Sequence, residues 1–128
     1  MKEKTIKVLK VEPHKLPEVA ELTNQLDALQ KAVSIGCDYV GLIEILSLDE
    51  KTCILCNEEG KLNGMEPNRR LGDDILCGVF YVTGQDKEGN LTSLPEAAME
   101  AYTARFLFPE EITREEVERI LSPRFFFF

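Results

Sequence analysis

Three adjacent side chains, Asn68, Arg69 and Arg70, are the residues of this sequence best suited to binding chemistry. A guanidinium presents a planar fork of donors that fits a phosphate or a carboxylate, and an amide can read a base or ribose edge. Gly64 and Gly72 lie on either side, where glycine would let backbone amides approach a ligand. Because the flanking runs are typical of strands, we expect the triplet on a loop held by rigid elements, where binding groups are often found.

The same segment has a structural alternative. Pro67 and Asn68 are typical turn residues, and the two arginines could pair with nearby acids such as Asp73 and Asp74. The binding hypothesis predicts that replacing Arg69 and Arg70 by alanine abolishes binding and leaves folding intact.

Tight capture of a nucleotide would need further donors and an aromatic ring for stacking. The predicted ligand-binding or partner-binding set therefore also contains Lys61, Tyr81 and Tyr102.

Four cysteines, Cys37, Cys53, Cys56 and Cys77, allow disulfide, metal and redox interpretations. Cys53 and Cys56 have the spacing of zinc ligands, but the apolar stretch between them is typical of a strand and not of a tight metal-binding turn. The single histidine, His14, lies far upstream. We favour buried, reduced thiols that pack as small hydrophobic groups, and we predict no metal and no cofactor.

The residues needed for common catalytic arrangements are not grouped in this sequence. One histidine supports no Ser-His-Asp set, no glycine-rich phosphate loop ends in Lys-Ser or Lys-Thr, and no histidine–carboxylate pair has the spacing for a catalytic metal. We predict a non-enzymatic protein with no catalytic residues, and an enzyme acting on a small metabolite remains an alternative.

Composition limits the classes of partner. The 128 residues fit one domain, and 23 acidic against 15 basic residues give a net charge of −8. That charge disfavours non-specific binding to nucleic acid, whose phosphates attract lysine and arginine. No apolar run approaches the ~18 residues of a membrane span, and the charged N-terminus is unlike a signal segment. We expect a cytoplasmic protein with no membrane contact.

The pattern of apolar and turn residues predicts an α+β fold. The expected strands are Thr5–Val11, Glu18–Thr23, Tyr39–Leu48, Thr52–Cys56 and Asp74–Thr83, with a first helix over Asn24–Ile35 that ends at Gly36. Capping boxes that begin at Ser93 and Thr113 predict two C-terminal helices, the second ending at Pro123. The result is a single domain over residues 1–108, with a mixed or mostly antiparallel sheet of about 4–5 strands, and a helical extension over residues 109–128.

The extension ends in Phe125, Phe126, Phe127 and Phe128. Four exposed phenylalanines would favour association. We expect the tail to pack on the domain or to form a homo-oligomer contact, and a hook into another protein is the alternative.

Several segments occur in the order of a known family. They are Leu26–Val33, Cys56–Leu62, Pro67–Arg69, Gly78–Phe80 and the Ser93-Leu94 pair before Tyr102. In these the chain resembles the uncharacterised domain family numbered 3846, found on phages and mobile elements of Gram-positive gut bacteria, over about residues 5–106. The resemblance includes Asn68 and Arg69 as positions that match the family pattern. It does not extend to Cys53, Arg70 or the phenylalanine tail.

The resemblance implies an accessory protein of a phage or mobile element that counters a host defence system by binding. In the first hypothesis, Asn68, Arg69 and Arg70 contact an anionic signalling nucleotide, which the protein sequesters, or an acidic surface. In the alternative, an acidic face blocks a host defence nuclease, a CRISPR or restriction effector. That face would consist of Glu110, Glu111, Glu115, Glu116 and Glu118.

Overall fold

The structure is a computed structural model that describes residues 4–126, with side chains described for residues 4–121. The described chain forms β1 (Thr5–Val11), β2 (Glu18–Thr23), α1 (Leu26–Ala32), β3 (Ile43–Asp49), β4 (Thr52–Asn57), β5 (Pro67–Leu71), β6 (Asp74–Cys77), β7 (Phe80–Gln85), β8 (Leu91–Thr92), α2 (Glu96–Arg105) and α3 (Arg114–Phe126). No helix in this part of the chain has both the length and the apolar character needed to cross a membrane.

The main sheet has six strands, all paired antiparallel. Its order is β2-β1-β7-β4-β3, and the short β8 pairs with the end of β7. Strands β5 and β6 form a separate two-stranded hairpin. The predicted α+β class with a mostly antiparallel sheet is therefore confirmed.

Both faces of the sheet are covered, because the central strands carry apolar side chains on alternate sides. On β1, Val8 belongs to one buried cluster and Leu9 to the other. Helix α1 packs on the first face through Leu29, whereas Phe106, at the end of α2, packs on the second face. The two faces therefore form separate halves of the core.

Helix α3 covers the β5–β6 hairpin. Its buried Val117 packs in a third cluster with Met65, Ile75 and Cys77. The Thr113 hydroxyl accepts a hydrogen bond from the Glu116 amide at 3.2 Å, so the cap predicted at Thr113 is present. The division of the chain into two parts near residue 108 stays a prediction. The packing of Val117 against Met65, Ile75 and Cys77 joins the extension to the preceding domain.

The predicted end of the last helix at Pro123 is wrong. Helix α3 continues past Pro123 to Phe126. The predicted partner residues Phe125 and Phe126 have their backbone in α3, but side chains from residue 122 onward lie outside the described residues. Phe127 and Phe128 lie outside them completely.

The single strand predicted over Asp74–Thr83 is two strands in different sheets. The break lies at Gly78, whose φ of +82° is a conformation that other residues rarely adopt. A Cβ at this position would lie 2.5 Å from Cε of Met65, so the close approach expected at Gly78 is present. At this turn the chain leaves the hairpin after β6 and continues as β7 in the centre of the main sheet.

Three smaller boundaries also differ from the predictions. Helix α1 spans Leu26–Ala32 and not Asn24–Ile35, so it ends before Gly36. Strand β3 begins at Ile43 and not at Tyr39, so residues 39–42 form part of a loop. Helix α2 begins at Glu96, with Pro95 and not Ser93 at its N-cap, and the Ser93 hydroxyl accepts a hydrogen bond from the Lys7 amide at 2.9 Å.

Candidate functional site

Asn68 and Arg69 lie in β5 and not on a loop, and both are completely buried. The Nδ2 of Asn68 donates to the carbonyl of Val11 at 2.9 Å and to the carbonyl of Gly78 at 2.8 Å. Val11 ends β1, and Gly78 makes the turn before β7. The amide therefore joins the hairpin to two strands of the main sheet.

The guanidinium of Arg69 is fully used by the protein. It donates from Nε and Nη2 to the carbonyl of Phe106 at 3.1 and 2.9 Å. Nη2 also donates to the carbonyl of Lys15 at 2.7 Å, and Nη1 donates to Oδ1 of Asn68 at 2.8 Å. Within the described chain, no buried side-chain nitrogen or oxygen lacks a hydrogen-bond partner.

No carboxylate is hydrogen-bonded to this buried guanidinium. Burial lowers the pKa of Arg69, and the charge of Glu110 opposes that shift. The carbonyl of Phe106 follows the last turn of α2, where unpaired carbonyls carry partial negative charge. Arg69 therefore stabilises the end of α2.

Arg70 is the exposed member of the triplet, and it holds α3 against β5. Its guanidinium pairs with Glu110 at 2.8 Å and with Glu116 at 2.7 Å. Hydrogen bonds to Glu116 and Glu110 raise the pKa of Arg70, and the bond from Arg70 lowers the pKa of Glu116. The carboxylates that pair with Arg70 are therefore distant in the sequence, and they are not Asp73 or Asp74.

These contacts do not form the loop-mounted anion site that the sequence predicts. Asn68 and Arg69 are buried, and their donors are occupied: Asn68 bonds the carbonyls of Val11 and Gly78, and Arg69 bonds the carbonyl of Phe106 at the end of α2. Arg70 faces solvent but is neutralised by two carboxylates. The triplet holds separate parts of the fold together.

The remaining predicted ligand residues do not converge on the triplet. Lys61 pairs with Asp74 at 2.5 Å. The Tyr81 hydroxyl donates to the carbonyl of Ala32 at 3.0 Å within the first face of the core. Tyr102 packs on the opposite face of the sheet, so the two rings cannot stack on one ligand.

Three of the cysteines, Cys53, Cys56 and Cys77, are buried, and their thiols have raised pKa values. Burial raises the pKa of Cys56 to about 12 and that of Cys77 to about 11, and it also raises the pKa of Cys53. All four cysteines are free. Among the described residues, no three histidine, cysteine or acidic side chains are grouped to hold a metal ion.

The predicted acidic face is reduced by the Arg70 contacts. Glu110 and Glu116 are held in ion pairs with Arg70. Glu111, Glu115 and Glu118 have exposed side chains near the start of α3. The surface therefore presents fewer carboxylates than the sequence indicates.

The structure brings together another surface, which the sequence analysis missed. We call it the loop surface, and it consists of the exposed side chains of Ile35, Tyr39, Val40 and Leu62. They belong to two loops joined by a hydrogen bond of 2.7 Å from the Tyr39 hydroxyl to Oδ1 of Asn63. The only sequence signal was the group of apolar residues after Gly36, which we assigned in part to a strand.

A surface cavity of about 360 Å³ adjoins the loop surface at Ile35. Its lining includes the apolar residues Pro13, Met65 and Val79 and the carboxylate residues Glu12 and Glu66. His14, beside the cavity, has a φ of +65°, and its Nε2 lies 3.2 Å from Oε1 of Glu66. A positive φ is uncommon outside glycine, and strained residues of this kind often occur at functional sites.

Comparison with known proteins gives one family match. A family model described as "Domain of unknown function (DUF3846)" matches residues 6–107. No curated protein and no solved structure matches the chain.

Proposed function

The chain belongs to the family described as a domain of unknown function (DUF3846), and we propose that it acts by binding. Its partner would be another protein, bound through the loop surface and the adjoining cavity. The biological setting that we propose is a phage or mobile-element accessory protein that counters host defence in the bacterial cytoplasm. The family resemblance supports that setting, and the loop surface supports the mode of action.

The observation that carries the binding proposal is the exposure of four large apolar side chains on two adjoining loops. Each side chain of the loop surface is half exposed or more. Grouped apolar exposure is costly in water and marks interaction sites on soluble proteins. Tyrosine is also enriched in the centres of protein interfaces.

The loops are held in place, which favours binding without a large ordering cost. The Gly41 amide donates to the Ser34 hydroxyl at 2.9 Å, and the Glu58 amide donates to the carbonyl of Leu42 at 3.0 Å. Together with the contact between Tyr39 and Asn63, these bonds fix the first loop against the second. A preorganised surface loses less conformational entropy when a partner binds.

The cavity favours an apolar protein side chain over a nucleotide. Its volume lies within the range of roughly 300–1,000 Å³ that is usual for ligand pockets, and its lining includes the apolar residues Pro13, Met65 and Val79. The donors of Asn68 and Arg69 are already paired with carbonyls. A partner segment that inserts an apolar side chain beside Ile35 fits these features better.

A second candidate is binding of a basic groove on a host defence nuclease by the acidic surface. Glu111, Glu115 and Glu118 are exposed, and the chain has a net charge of −8. Electrostatic binding of this kind weakens steeply with salt, whereas binding through an apolar surface does not.

Co-purification from a host lysate tests the proposal. The variant Tyr39→Ser/Leu62→Ser removes two apolar groups from the loop surface, and Leu16→Ser/Val19→Ser removes two exposed apolar groups elsewhere. We expect the first variant to lose the partner and the second to retain it at low and high salt. Retention of the partner by both variants would contradict the use of the loop surface.

Calorimetry against cyclic and ADP-ribose-derived nucleotides separates the small-molecule alternative. We expect no heat of binding from the wild-type protein. Saturable binding that is lost in Arg70→Ala would instead favour nucleotide capture.

A further inference from the structure

We propose that two copies of this chain pair through β3, antiparallel and related by a two-fold axis at Ile45. The pairing would join the two main sheets into one continuous sheet. This inference goes beyond the proposed function, because it concerns the edge of the sheet and a second copy of the chain, and not the loop surface.

Strand β3 lies at one end of the main sheet and, among the described strands, pairs only with β4. It has seven residues, and it contains neither the proline nor the lysine that often protect edge strands. Ile45 is 48% exposed although it lies in the middle of the strand. An open strand edge with an exposed apolar centre is a template for a further strand.

The regular part of β3 is centred on Ile45. The pairing of β3 with β4 is continuous from Ile43 to Ser47, and the register then shifts before Asp49. Such irregularities twist a strand and end regular pairing. A symmetric partner can therefore use the segment of β3 that has Ile45 at its middle.

Side-chain complementarity selects the same axis. With the axis at Ile45, this residue faces its own copy, Glu44 faces Leu46 of the second copy, and Ile43 faces Ser47 of the second copy. These pairs contain no like charges, and apolar cross-strand pairs are stabilising. The same surface then serves both copies, as a two-fold interface requires.

A two-fold axis at a neighbouring residue of β3 would also align the same faces of the two sheets, but its facing side chains would form less favourable pairs. An axis at Ser47 would lie at the end of the regular segment, next to the register shift. An axis at Glu44 would place two glutamates directly opposite each other. Like charges directly opposite each other are destabilising. An axis at Leu46 would place Asp49 opposite Ile43 and would leave Ile45 facing Ser47. The axis at Ile45 alone avoids like charges and pairs the exposed isoleucine with an apolar group.

The molecular mass of the full-length chain in solution tests this pairing. Sedimentation equilibrium from low micromolar to millimolar protein should give a monomer–dimer equilibrium. Because each copy has a net charge of −8, dimerisation should strengthen as salt screens the repulsion. A monomer at every concentration and salt would overturn the proposal.

A matched pair of edge variants shows which strand is used. Ile45→Lys places two like charges at the axis and should weaken dimerisation at least tenfold. Val19→Lys introduces the same charge on β2, the opposite edge, at a residue that is 54% exposed, and should leave dimerisation unchanged. Equal dimerisation of Ile45→Lys and wild type would overturn the proposal, and so would equal loss in both variants.

Disulfide trapping tests the register independently. Facing residues of an antiparallel pair have Cβ atoms roughly 4.5–5.5 Å apart, within reach of a disulfide after small adjustment. Mild oxidation should therefore link Ile45→Cys into a covalent dimer, while Ser47→Cys and wild type stay unlinked. Linking through Ser47→Cys alone, or through neither variant, would overturn the axis at Ile45.

Discussion

The guanidinium of Arg69 donates two hydrogen bonds to the carbonyl of Phe106, from Nε at 3.1 Å and from Nη2 at 2.9 Å. Arg69 lies in the β5–β6 hairpin, and Phe106 follows the last turn of α2. The Phe106 ring packs edge-on against Phe80 on the second face of the main sheet, with ring centroids 5.1 Å apart. This relationship joins the hairpin, a helix end and the central sheet.

Arg69→Ala should strongly destabilise the protein, because it leaves two buried acceptors, the carbonyl of Phe106 and Oδ1 of Asn68, without these donors. Each unsatisfied buried polar group costs about 1–3 kcal/mol, so we expect a loss of about 3 kcal/mol or more. Urea denaturation measures the loss, with Arg119→Ala on the exposed face of α3 as the control. Equal stability of the two variants would contradict a structural role for Arg69.

Arg70→Ala should destabilise the protein less, and in a way that depends on salt. Its ion pairs with Glu110 and Glu116 are partly exposed, so dissolved ions screen them. The stability difference from wild type should therefore shrink between low and high sodium chloride. A difference that stays constant with salt would indicate that packing, and not charge, is lost.

Asn68→Asp should destabilise the fold although the side chain keeps its shape. The change replaces the Nδ2 donor, which bonds the carbonyls of Val11 and Gly78, by an oxygen that faces the same two carbonyls. We expect a loss of about 1–3 kcal/mol in urea denaturation. Asn63→Asp is the matched control, because the oxygen that accepts from Tyr39 is retained there.

Thiol labelling of the native protein should be selective. Cys53, Cys56 and Cys77 are buried and have raised pKa values, whereas Cys37 is partly exposed. Because the thiolate is the reactive form, an alkylating agent near pH 8 should modify Cys37 first and the other three only after unfolding. Mass spectrometry of peptides would locate the label, and early modification of Cys56 would contradict this burial.

Stability should fall at alkaline pH because of the Cys56 thiol. Its folded-state pKa of about 12 lies above the unfolded value, so the stabilisation is complete below about pH 8.5 and is lost as pH rises towards the folded pKa. One such group contributes a slope of up to about 1.4 kcal/mol per pH unit.

The decline in unfolding free energy above about pH 9 should be shallower in Cys56→Ala than in wild type. Ile54→Val, on the same strand and face, is the control, because it reduces packing without removing a titrating group. Parallel pH profiles for Cys56→Ala and wild type would show that this thiol does not contribute.

Local sequence signals were sufficient for most of the elements. The apolar residues of β1 and β4 and the cap at Thr113 act within a few residues, so their patterns can be read directly. The motif order also indicated the family, whose model matches residues 6–107.

Tertiary structure alone decided what Asn68 and Arg69 do. A basic residue in a short polar segment has the same local pattern whether it faces solvent or the core. Here the turn at Gly78 separates β6 from β7, and this arrangement sets β5 against the ends of β1 and α2. The carbonyls that occupy Arg69 lie 37 and 54 residues away in the chain, so only the folded arrangement brings them into hydrogen-bond range.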